Sequence, residues 1–282
     1  MSNCLEKKID FAVVFSVKNA NPNGDPLNGN RPRETYDGLG EVSDVCIKRK
    51  LRNRLQDLGQ RIFVQSDDRC DDGFKSLHER VLSNPDIVAA KNDKDRFAKA
   101  ACASWFDVRA FGQVFAFKGN DVSVGVRGPV SVHSAESLSP VEIESLQITK
   151  SVNSEAVKDG KKASDTMGTK HRVSHATYVF YGSINCQLAE KTGFSNEDAL
   201  LLKKALVSLF ENDSSSARPD GSMEVNKVFW WEHNCKNGLY SSAKVHHSLK
   251  ITAKTDDPKS IDDYEIESTP LEGLNEEVIE GK

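Results

Sequence analysis

The chain has 282 residues and a formal net charge of −4, and 38% of its residues are hydrophobic while 28% are charged. This composition is typical of a soluble globular protein and argues against a disordered chain. No apolar run approaches the ~20 residues that a membrane-spanning helix needs, and the N-terminal segment lacks the apolar core and cleavage site of a signal peptide. We therefore expect a cytoplasmic protein without a membrane partner.

The first predicted unit is a strand followed by a helix. Apolar residues alternate along Ile9–Lys18, which predicts a half-buried strand. A loop rich in Asn, Gly and Pro follows from Asn19 to about Gly40. Ser43 is a suitable N-cap for a helix that ends near Gly59. The apolar stripe of this helix consists of Ile47, Leu51, Leu55 and Leu58.

The later elements are interrupted twice. Residues 61–104 read as an inserted, mainly helical segment, and the polar segment Gln147–Arg172 predicts a long hairpin or projecting arm. Gly128-Pro129 interrupts a predicted strand and indicates a bulge or an edge. The other predictions are strands at Gln113–Phe117 and Val122–Val132 joined by a tight turn at Lys118–Asp121, a strand at His175–Leu188, a helix from the Ser195 cap to Phe210, and strands at Glu224–Trp231 and Ala243–Ala253.

This order of elements predicts the fold class. With the two interruptions set aside it reads βα–ββ–αβ with one extra strand, an α+β, ferredoxin-like arrangement that RNA-recognition modules also use. The C-terminal segment, residues 255–282, holds ten acidic and two basic residues, which leaves 36 basic against 32 acidic in the rest of the chain. We expect this acidic tail to wrap the surface or to be disordered, and a mildly basic body permits a nucleic-acid partner.

The six cysteines argue against a structural metal or a disulfide framework. They lie far apart and contain no CxxC pair. Such spacing predicts reduced, partly buried thiols. We expect neither a metal nor another cofactor.

The helix after the loop carries five basic residues in seven positions. Two acids, Asp44 and Asp57, lie nearby, too few to pair all five cations. The free N–H groups at the start of such a helix also favour an anion. The pattern predicts phosphate contacts, and the alternative is a solvated charged surface. The basic residues are Lys48, Arg49, Lys50, Arg52 and Arg54.

The loop before this helix offers amide and guanidinium groups. Gly24 and Gly29 allow a ligand to approach the backbone closely. The composition suits phosphates or bases, and an ordinary turn-rich connection explains it equally well. The candidate ligands are Asn19, Asn21, Asn23, Asn28, Asn30, Arg31 and Arg33.

Four segments carry a resemblance to a known family. They are NPNGDPLNGNRPR at 21–33, SDVCIKRKLRN at 43–53, FDVRAFGQVFAF at 106–117 and VSVGVRGPVSV at 122–132. Together they resemble the backbone subunit of the type I-C CRISPR interference complex, Cascade, in the RNA-binding RAMP superfamily. The resemblance covers most of the chain, and the loop-plus-helix motif is its most specific part.

The resemblance implies a non-catalytic scaffold that oligomerises along CRISPR guide RNA as a helical filament and presents the guide to target DNA. Its partners would be neighbouring copies, the guide-processing, large and small Cascade subunits, and indirectly a recruited helicase-nuclease. The implied organisation is an RNA-recognition-like palm (residues 1–60, 106–146 and 173–254), a helical finger (61–105), a hairpin thumb (147–172) and the acidic tail (255–282).

The resemblance also implies roles for particular residues. Lys48 and Arg52 match positions that grip the guide's sugar-phosphate backbone, and Met167 is our candidate for a thumb wedge between bases, with packing of the hairpin on its own body as the alternative. The further RNA-binding candidates are Ser43, Arg49, Lys150, Asn153, Lys170, His171 and Arg172, and Lys158, Lys161 and Lys162 are weaker ones. We favour core or interface packing over base stacking for Trp105, Phe106, Trp230 and Trp231.

Two rival functions are open at this point. Related RAMP proteins cut RNA with a loop aspartate, which makes Asp25 the candidate in a metal-dependent ribonuclease. Asp25 precedes Pro26 in a loop of turn residues, where we favour a structural role. The other rival is a monomeric, ferredoxin-like RNA chaperone.

Overall fold

The computed structural model describes residues 4–90, 93–116, 123–152 and 167–282. The helices in these ranges are α1 Asp44–Asp57, α2 Leu77–Leu82, α3 Pro85–Ala89, α4 Lys94–Ser104, α5 Phe106–Phe111, α6 Cys186–Thr192, α7 Asn196–Val207 and α8 Ser242–His246. The strands are β1 Ile9–Ala20, β2 Gly24–Asp25, β3 Arg31–Pro32, β4 Leu39–Val42, β5 Gly112–Phe115, β6 Val124–Arg127, β7 Val130–Val132, β8 Ala135–Pro140, β9 Ile143–Thr149, β10 Met167–Ile184, β11 Met223–Glu232, β12 Leu249–Ala253, β13 Tyr264–Ser268 and β14 Asn275–Glu280.

The fold is a mixed α+β structure built on a large antiparallel sheet, as the sequence predicts. Its strand order is β14-β11-β1-β10-β8-β4. The long strand β10 pairs with β1 on one side and, along its length, with β7, β8 and β9 on the other. Strand β9 and the first part of β10 form an antiparallel hairpin that ends at the undescribed residues 153–166.

The main core lies between this sheet and helices α1, α6 and α7. Alternate residues of β1, from Ile9 to Val17, point to these helices and are almost fully buried. Helix α1 contributes Ile47, Leu51 and Leu55, as its apolar stripe predicts. Ser43 caps α1 by accepting a hydrogen bond from Cys46 N, and Ser195 caps α7 in the predicted capping box.

Asn19 interrupts the alternation of core-facing and outward-facing residues at the end of β1. Its φ is +53°, in the left-handed region that Asn tolerates better than most residues, and its side chain is exposed. Val17 and Ala20 both face the core, although they are three residues apart. The strand therefore turns Asn19 outward where the loop to α1 begins.

A second core belongs to the inserted segment. Phe63 lies 4.7 Å from Trp105 and 5.2 Å from Phe115, measured between ring centroids. The predicted hairpin of β5 and β6 is present, although its turn at Lys118–Asp121 lies outside the described residues. This hairpin packs on the second core through Phe115 and Val124, so this core extends beyond residue 105.

The opposite face of the main sheet is covered by the C-terminal part of the chain. Val245 and Leu249 pack on Phe229, Trp231 and other residues of that face. Strands β12 and β13 pair with each other, and β14 pairs with β11 as the edge strand of the sheet. We expected the acidic tail to wrap the surface or to be disordered, and the structure shows it packed on the protein, because its apolar residues, Ile266 among them, have a sheet face to cover.

A buried polar cluster around Asp10 of β1 reaches the cover through His246, whose Nε2 lies 3.9 Å from the Asp10 carboxylate. Asp10 is fully buried, and its carboxylate lies 2.8 Å from His233 Nε2 and 3.0 Å from Lys8 Nζ. His246, at the end of α8, donates from Nε2 to the Gly182 carbonyl at 3.1 Å. The cover is therefore bound to the sheet by polar as well as apolar contacts.

Two predicted strand boundaries are wrong. The strand predicted at His175–Leu188 begins at Met167 and ends at Ile184, and α6 follows because Asn185 caps it by accepting from Leu188 N. The strand predicted at Ala243–Ala253 is helix α8 followed by β12, since Ser241 caps a short helix through Lys244 N. In both places a polar cap outweighs a short alternating pattern.

The cysteines are free thiols, in agreement with the sequence. Cys102 and Cys186 are buried, and burial raises the pKa of each to about 11. The other four are half-buried or exposed, and they are Cys4, Cys46, Cys70 and Cys235. Within the described ranges, none of the helices is long and apolar enough to cross a bilayer.

Candidate nucleic-acid interface

The loop between β1 and α1 is a set of hydrogen-bonded turns. Strands β2 and β3 pair as a two-residue ribbon, and a short 3-10 turn, Pro26–Asn28, joins them. Gly29 and Asn30 follow with φ of +59° and +58°. Asn21 is buried, and its amide donates to the Asn30 carbonyl at 2.6 Å. The loop therefore presents a preformed surface.

Asn23 joins the loop to the start of α1. Its side-chain oxygen accepts from the Ser43 backbone N–H at 2.9 Å and from the Ser43 hydroxyl at 2.8 Å. Its backbone carbonyl accepts from Arg33 N at 3.0 Å. Asn23 and Ser43, both predicted RNA ligands, thus position the loop and the helix end relative to each other.

Asp25 has a structural position in the same loop. Its carboxylate caps the 3-10 turn by accepting from Leu27 N at 3.2 Å, and it also lies 3.4 Å from Arg33 Nη2. No group of three or more metal-binding side chains occurs in the part of the chain that the structure describes. The cap and the contact with Arg33 give Asp25 a structural role in the loop.

The outward-facing groups of the loop are its remaining amides and guanidinium groups. Asn19, Asn28 and Asn30 are exposed, while Arg31 and Arg33 are half-buried. Leu27 and Tyr36 are also almost fully exposed, at 98% and 104%, and the sequence motifs did not single them out. This set can meet phosphates, sugars and base edges at the same time.

The basic helix is more fully paired than its sequence suggests. Lys48 bonds Asp44 at 2.9 Å, and the buried Lys50 bonds Asp213. Burial lowers the pKa of Lys50, although Asp213 opposes this shift. Our expectation that too few acids surround the five cations is therefore wrong, because tertiary packing brings up Asp107 and Asp213 from distant parts of the chain.

Arg52 occupies a buried ion pair. Its Nε lies 2.9 Å from Asp107, and only 13% of its side chain is exposed. The same carboxylate accepts from the backbone N–H groups of Phe63 and Val64, at 2.7 and 3.1 Å. Arg52 therefore connects α1 to the second core, and it has a structural role independent of any ligand.

The other cations of α1 also make contacts within the protein. Arg49 donates to the Val64 carbonyl at 2.7 Å, and burial lowers the pKa of its guanidinium, with a further contribution from Arg52. Arg54 donates to Ser208 Oγ at 2.8 Å. Lys48, with a quarter of its side chain exposed and a weak partner in Asp44, is the cation most available to a ligand.

The hairpin of β9 and β10 brings its candidate residues close to the loop. Arg172 pairs with Glu144 at 2.7 Å, while His171 Nδ1 lies 2.8 Å from Ser145 Oγ. Arg31 reaches across from the loop to the same hydroxyl. The sequence did not indicate Ser145, which lies directly opposite His171 in the strand register.

The far part of the hairpin exposes apolar as well as basic groups. Met167 is 65% exposed, with its sulfur near the Gln147 amide, and Leu146 and Ile148 are 40% and 51% exposed. Lys150 is exposed and Lys170 is half-buried. Asn153, Lys158, Lys161 and Lys162 lie outside the described residues.

The aromatic candidates for base stacking are buried. Trp105, Phe106, Trp230 and Trp231 have at most 4% of their surface exposed. Trp231 also lies under the C-terminal cover, where its Nε1 donates to Glu276 at 3.0 Å. The packing role that the sequence favours is confirmed for these four residues.

Comparison with known proteins gives a curated relative and solved structures of similar fold. A protein of Haloferax volcanii named CRISPR-associated protein Cas7 is 27% identical over 222 residues, which are 73% of this chain and 65% of that protein. The chain thus spans just under two thirds of the length of this relative. A chain of a solved CRISPR RNA-guided surveillance complex, in a pre-nicking state, has the same fold with a TM-score of 0.52 and 14% identity, over 79% of this chain and 78% of that one.

The family comparison covers nearly the whole chain. The family model for CRISPR-associated protein Cas7 matches residues 7–269, which include the sheet apart from β14, the loop, α1, the inserted segment and most of the C-terminal cover. The match agrees with the resemblance seen in the loop and helix motifs. The chain therefore belongs to the CRISPR-associated protein Cas7 family.

Proposed function

We propose that this protein is the repeating, guide-RNA-binding backbone subunit of a CRISPR surveillance complex, and specifically of a type I-C Cascade. The family match over residues 7–269 carries the proposal. Several copies bind along one guide RNA and hold it for pairing with target DNA. The type I-C assignment rests on the loop and helix motifs of the sequence.

The strand order supports a palm of the RNA-recognition type. Four strands in the order β11-β1-β10-β8, with α1 and α7 on one face, match the order of a ferredoxin-like unit. We assign the palm to residues 1–60, 106–146 and 173–254, the finger to 61–105 and the thumb to 147–172. Residues 255–282 complete the sheet and its cover.

We place the RNA on surfaces that the protein's own helices and strands leave uncovered. The sheet face that RNA-recognition modules commonly use is covered by α8, β12 and β13. We therefore place the guide along the loop, the exposed side of α1 and the thumb. The proposed contacts are Asn19, Asn21, Asn23, Asn28, Asn30, Arg31, Arg33, Ser43, Lys48, Arg49, Arg52, Lys150, Asn153, Met167, Lys170, His171 and Arg172.

The proposed protein is a scaffold without catalytic activity. In the ribonuclease alternative, Asp25 would activate the nucleophile. In this structure its carboxylate accepts hydrogen bonds from Leu27 N and Arg33 Nη2. In this role the protein is cytoplasmic, and its partners are guide RNA, neighbouring copies, the other Cascade subunits and, through the guide, target DNA. A recruited helicase-nuclease acts on the DNA.

One experiment tests binding and catalysis together. Purified protein is incubated with guide-length RNAs of unrelated sequence, and affinity and RNA integrity are measured at several salt concentrations with divalent metal present. We expect similar affinities for all guides, a steep loss of affinity with salt because phosphate contacts release counterions, and intact RNA.

Two results would contradict the proposal. Affinities that differ widely between guides would indicate base readout in place of backbone binding. Cleavage that Asp25→Ala abolishes, while Asp37→Ala leaves it intact, would favour the ribonuclease. Asp37 is an exposed loop acid and serves as the matched control.

A further inference from the structure

One chain of side-chain hydrogen bonds joins the loop to the hairpin. Arg31 Nη1 donates to Ser145 Oγ at 3.3 Å, and Ser145 Oγ lies 2.8 Å from His171 Nδ1. Ser145 and His171 are opposite each other on the two strands of the hairpin, whereas Arg31 belongs to the β2–β3 ribbon. We call these three residues the brace.

The other face of the hairpin carries a clasp that does not involve the loop. Arg172 Nε donates to Glu144 Oε2 at 2.7 Å, and Ser174 Oγ donates to Glu144 Oε1 at 2.9 Å. Glu144 and Arg172 are the register pair next to Ser145 and His171, so their side chains point to the opposite face. The hairpin base is thus held internally on one face and tied to the loop on the other.

The hydrogen bond between Arg31 and Ser145 is weak, and a stronger acceptor can replace Ser145. A distance of 3.3 Å is long for a hydrogen bond, and the Ser145 hydroxyl is a neutral acceptor. A phosphate oxygen is charged, and guanidinium groups bond it more strongly and in a fork geometry. Arg31 is half-buried, and within the described residues Ser145 is its one side-chain hydrogen-bond partner.

We propose that Ser145, held in place by His171, is a positioning residue that competes with a nucleic-acid phosphate for Arg31. Without a ligand, Arg31 holds the hairpin base against the loop. When a phosphodiester reaches the loop, the guanidinium turns to it, and the tie to Ser145 is lost. Binding at the loop is thereby coupled to the freedom of the hairpin. The inference rests on the proposed function, and it gives Ser145 a role in RNA binding without a phosphate contact of its own.

The test is a double-mutant cycle on RNA affinity, measured with an unstructured, guide-length RNA at fixed salt. Ser145→Ala frees Arg31 in the unbound protein, so we expect RNA binding to tighten by about two- to fivefold, the range of one modest hydrogen bond. In an Arg31→Ala background the same substitution should have no effect, because the competing group is absent. Ser145→Thr keeps the hydroxyl and should restore the wild-type affinity.

Ser174→Ala is the matched control. It removes a serine hydroxyl from the clasp of the same hairpin, and we expect RNA affinity to stay unchanged. Circular dichroism and thermal unfolding of each variant establish that the fold is retained. Arg31→Ala alone should weaken binding and reduce the slope of log affinity against log salt by about one.

Weaker or unchanged RNA binding in Ser145→Ala would overturn the inference, as would a gain of equal size in the Arg31→Ala background. If the unmodified protein still binds RNA tightly, such results contradict only the inference about the brace, and the proposed function stands. Failure of the unmodified protein to bind RNA would remove both.

Discussion

At the residue scale, the loop and the helix behind it hold two kinds of polar group. Asn23, Asp25 and Ser43 make hydrogen bonds within the loop and between the loop and the start of α1, and these bonds set the shape of the surface. Asn28, Asn30 and Lys48 face outward and are available to a ligand. Residue type alone did not separate these groups, because an amide or a carboxylate serves equally well for a turn and for a phosphate site.

The ion pair of Arg52 is a second feature that residue type alone does not predict. Asp107 lies 55 residues further along the chain, and no local pattern relates the two positions. The sequence therefore indicated a surface cation where tertiary packing makes a buried ion pair. The prediction that α1 exists, begins at Ser43 and buries Ile47, Leu51 and Leu55 was confirmed, because a cap and a periodic stripe are local signals.

Substitution of Arg52 should affect stability more than that of Lys48. Arg52→Ala leaves the Asp107 carboxylate buried without its cation, which costs about 3–5 kcal/mol of unfolding free energy. Lys48→Ala removes an exposed i, i+4 pair, and we expect a loss of about 0.5 kcal/mol or less. Urea unfolding of both variants measures the difference.

Asp107→Asn provides the control for this prediction. In combination with Arg52→Ala it removes the orphaned charge, so the double variant should be more stable than Arg52→Ala alone. Equal stabilities of the Arg52→Ala and Lys48→Ala variants would show that the ion pair contributes little. Any RNA-binding defect of Arg52→Ala must then be measured on the folded fraction.

At the element scale, the C-terminal segment departs most from its sequence-based expectation. A high acidic content without clear periodicity left a surface wrap or disorder as the alternatives and predicted no strand, yet β13 and β14 are ordered and β14 extends the main sheet. Their stability comes from partners elsewhere, the β11 edge and the apolar sheet face, which composition does not reveal. Short elements such as α6 and α8 were misassigned because they span only seven and five residues.

Removal of this segment should expose the sheet. A variant that ends at Lys254 loses β13, β14 and the hydrogen bond that Trp231 donates to Glu276. We expect red-shifted tryptophan emission, binding of a hydrophobic dye and a melting temperature lower by several degrees, because the apolar face becomes exposed to water. A spectrum and melting temperature equal to those of the full chain would show that the segment does not stabilise the fold.

The charge of the segment is tested separately from its packing. Glu265→Gln and Glu267→Gln reduce its acidity at exposed positions of β13 and keep every apolar contact. We expect the unfolding of this double variant to match that of the unmodified protein. A loss as large as that of the truncation would mean that charge, and not coverage, stabilises the fold.

At the scale of the whole molecule, one sheet carries different surfaces on its two sides. Helices α1, α6 and α7 fill one face, and the C-terminal cover, fastened at Asp10, fills the other. The loop and the hairpin project at the ends of β1 and β10, where neither layer reaches. This arrangement leaves the surface formed by the loop and the hairpin as the proposed site of RNA binding.

Acidification should weaken the fastening of the cover. Burial lowers the pKa of His246 from 6.5, and His133 and Lys8 lower it further, while Asp10 and the Gly182 carbonyl oppose the shift. The unfolded chain therefore takes up this proton at higher pH than the folded one, so the contribution of His246 is complete above pH 6.5 and decreases as pH falls below it. Unfolding free energies at pH 7.5 and 5.5 measure the loss.

His246→Gln separates this residue from other acid-sensitive groups. Gln keeps a donor for the Gly182 carbonyl and does not titrate, so the variant should lose less stability between pH 7.5 and 5.5 than the unmodified protein. Burial also lowers the pKa of His175, which contributes with the same sign in both proteins. Equal losses in the two proteins would assign the acid sensitivity to groups other than His246.

The central claim is that this chain is one repeat of a filament on guide RNA. Native mass spectrometry of the protein with single-stranded RNAs of increasing length tests it most directly. We expect the number of protein copies per RNA to rise in steps of one at regular length increments. A single copy on every RNA, whatever its length, would contradict the account and favour a monomeric RNA chaperone.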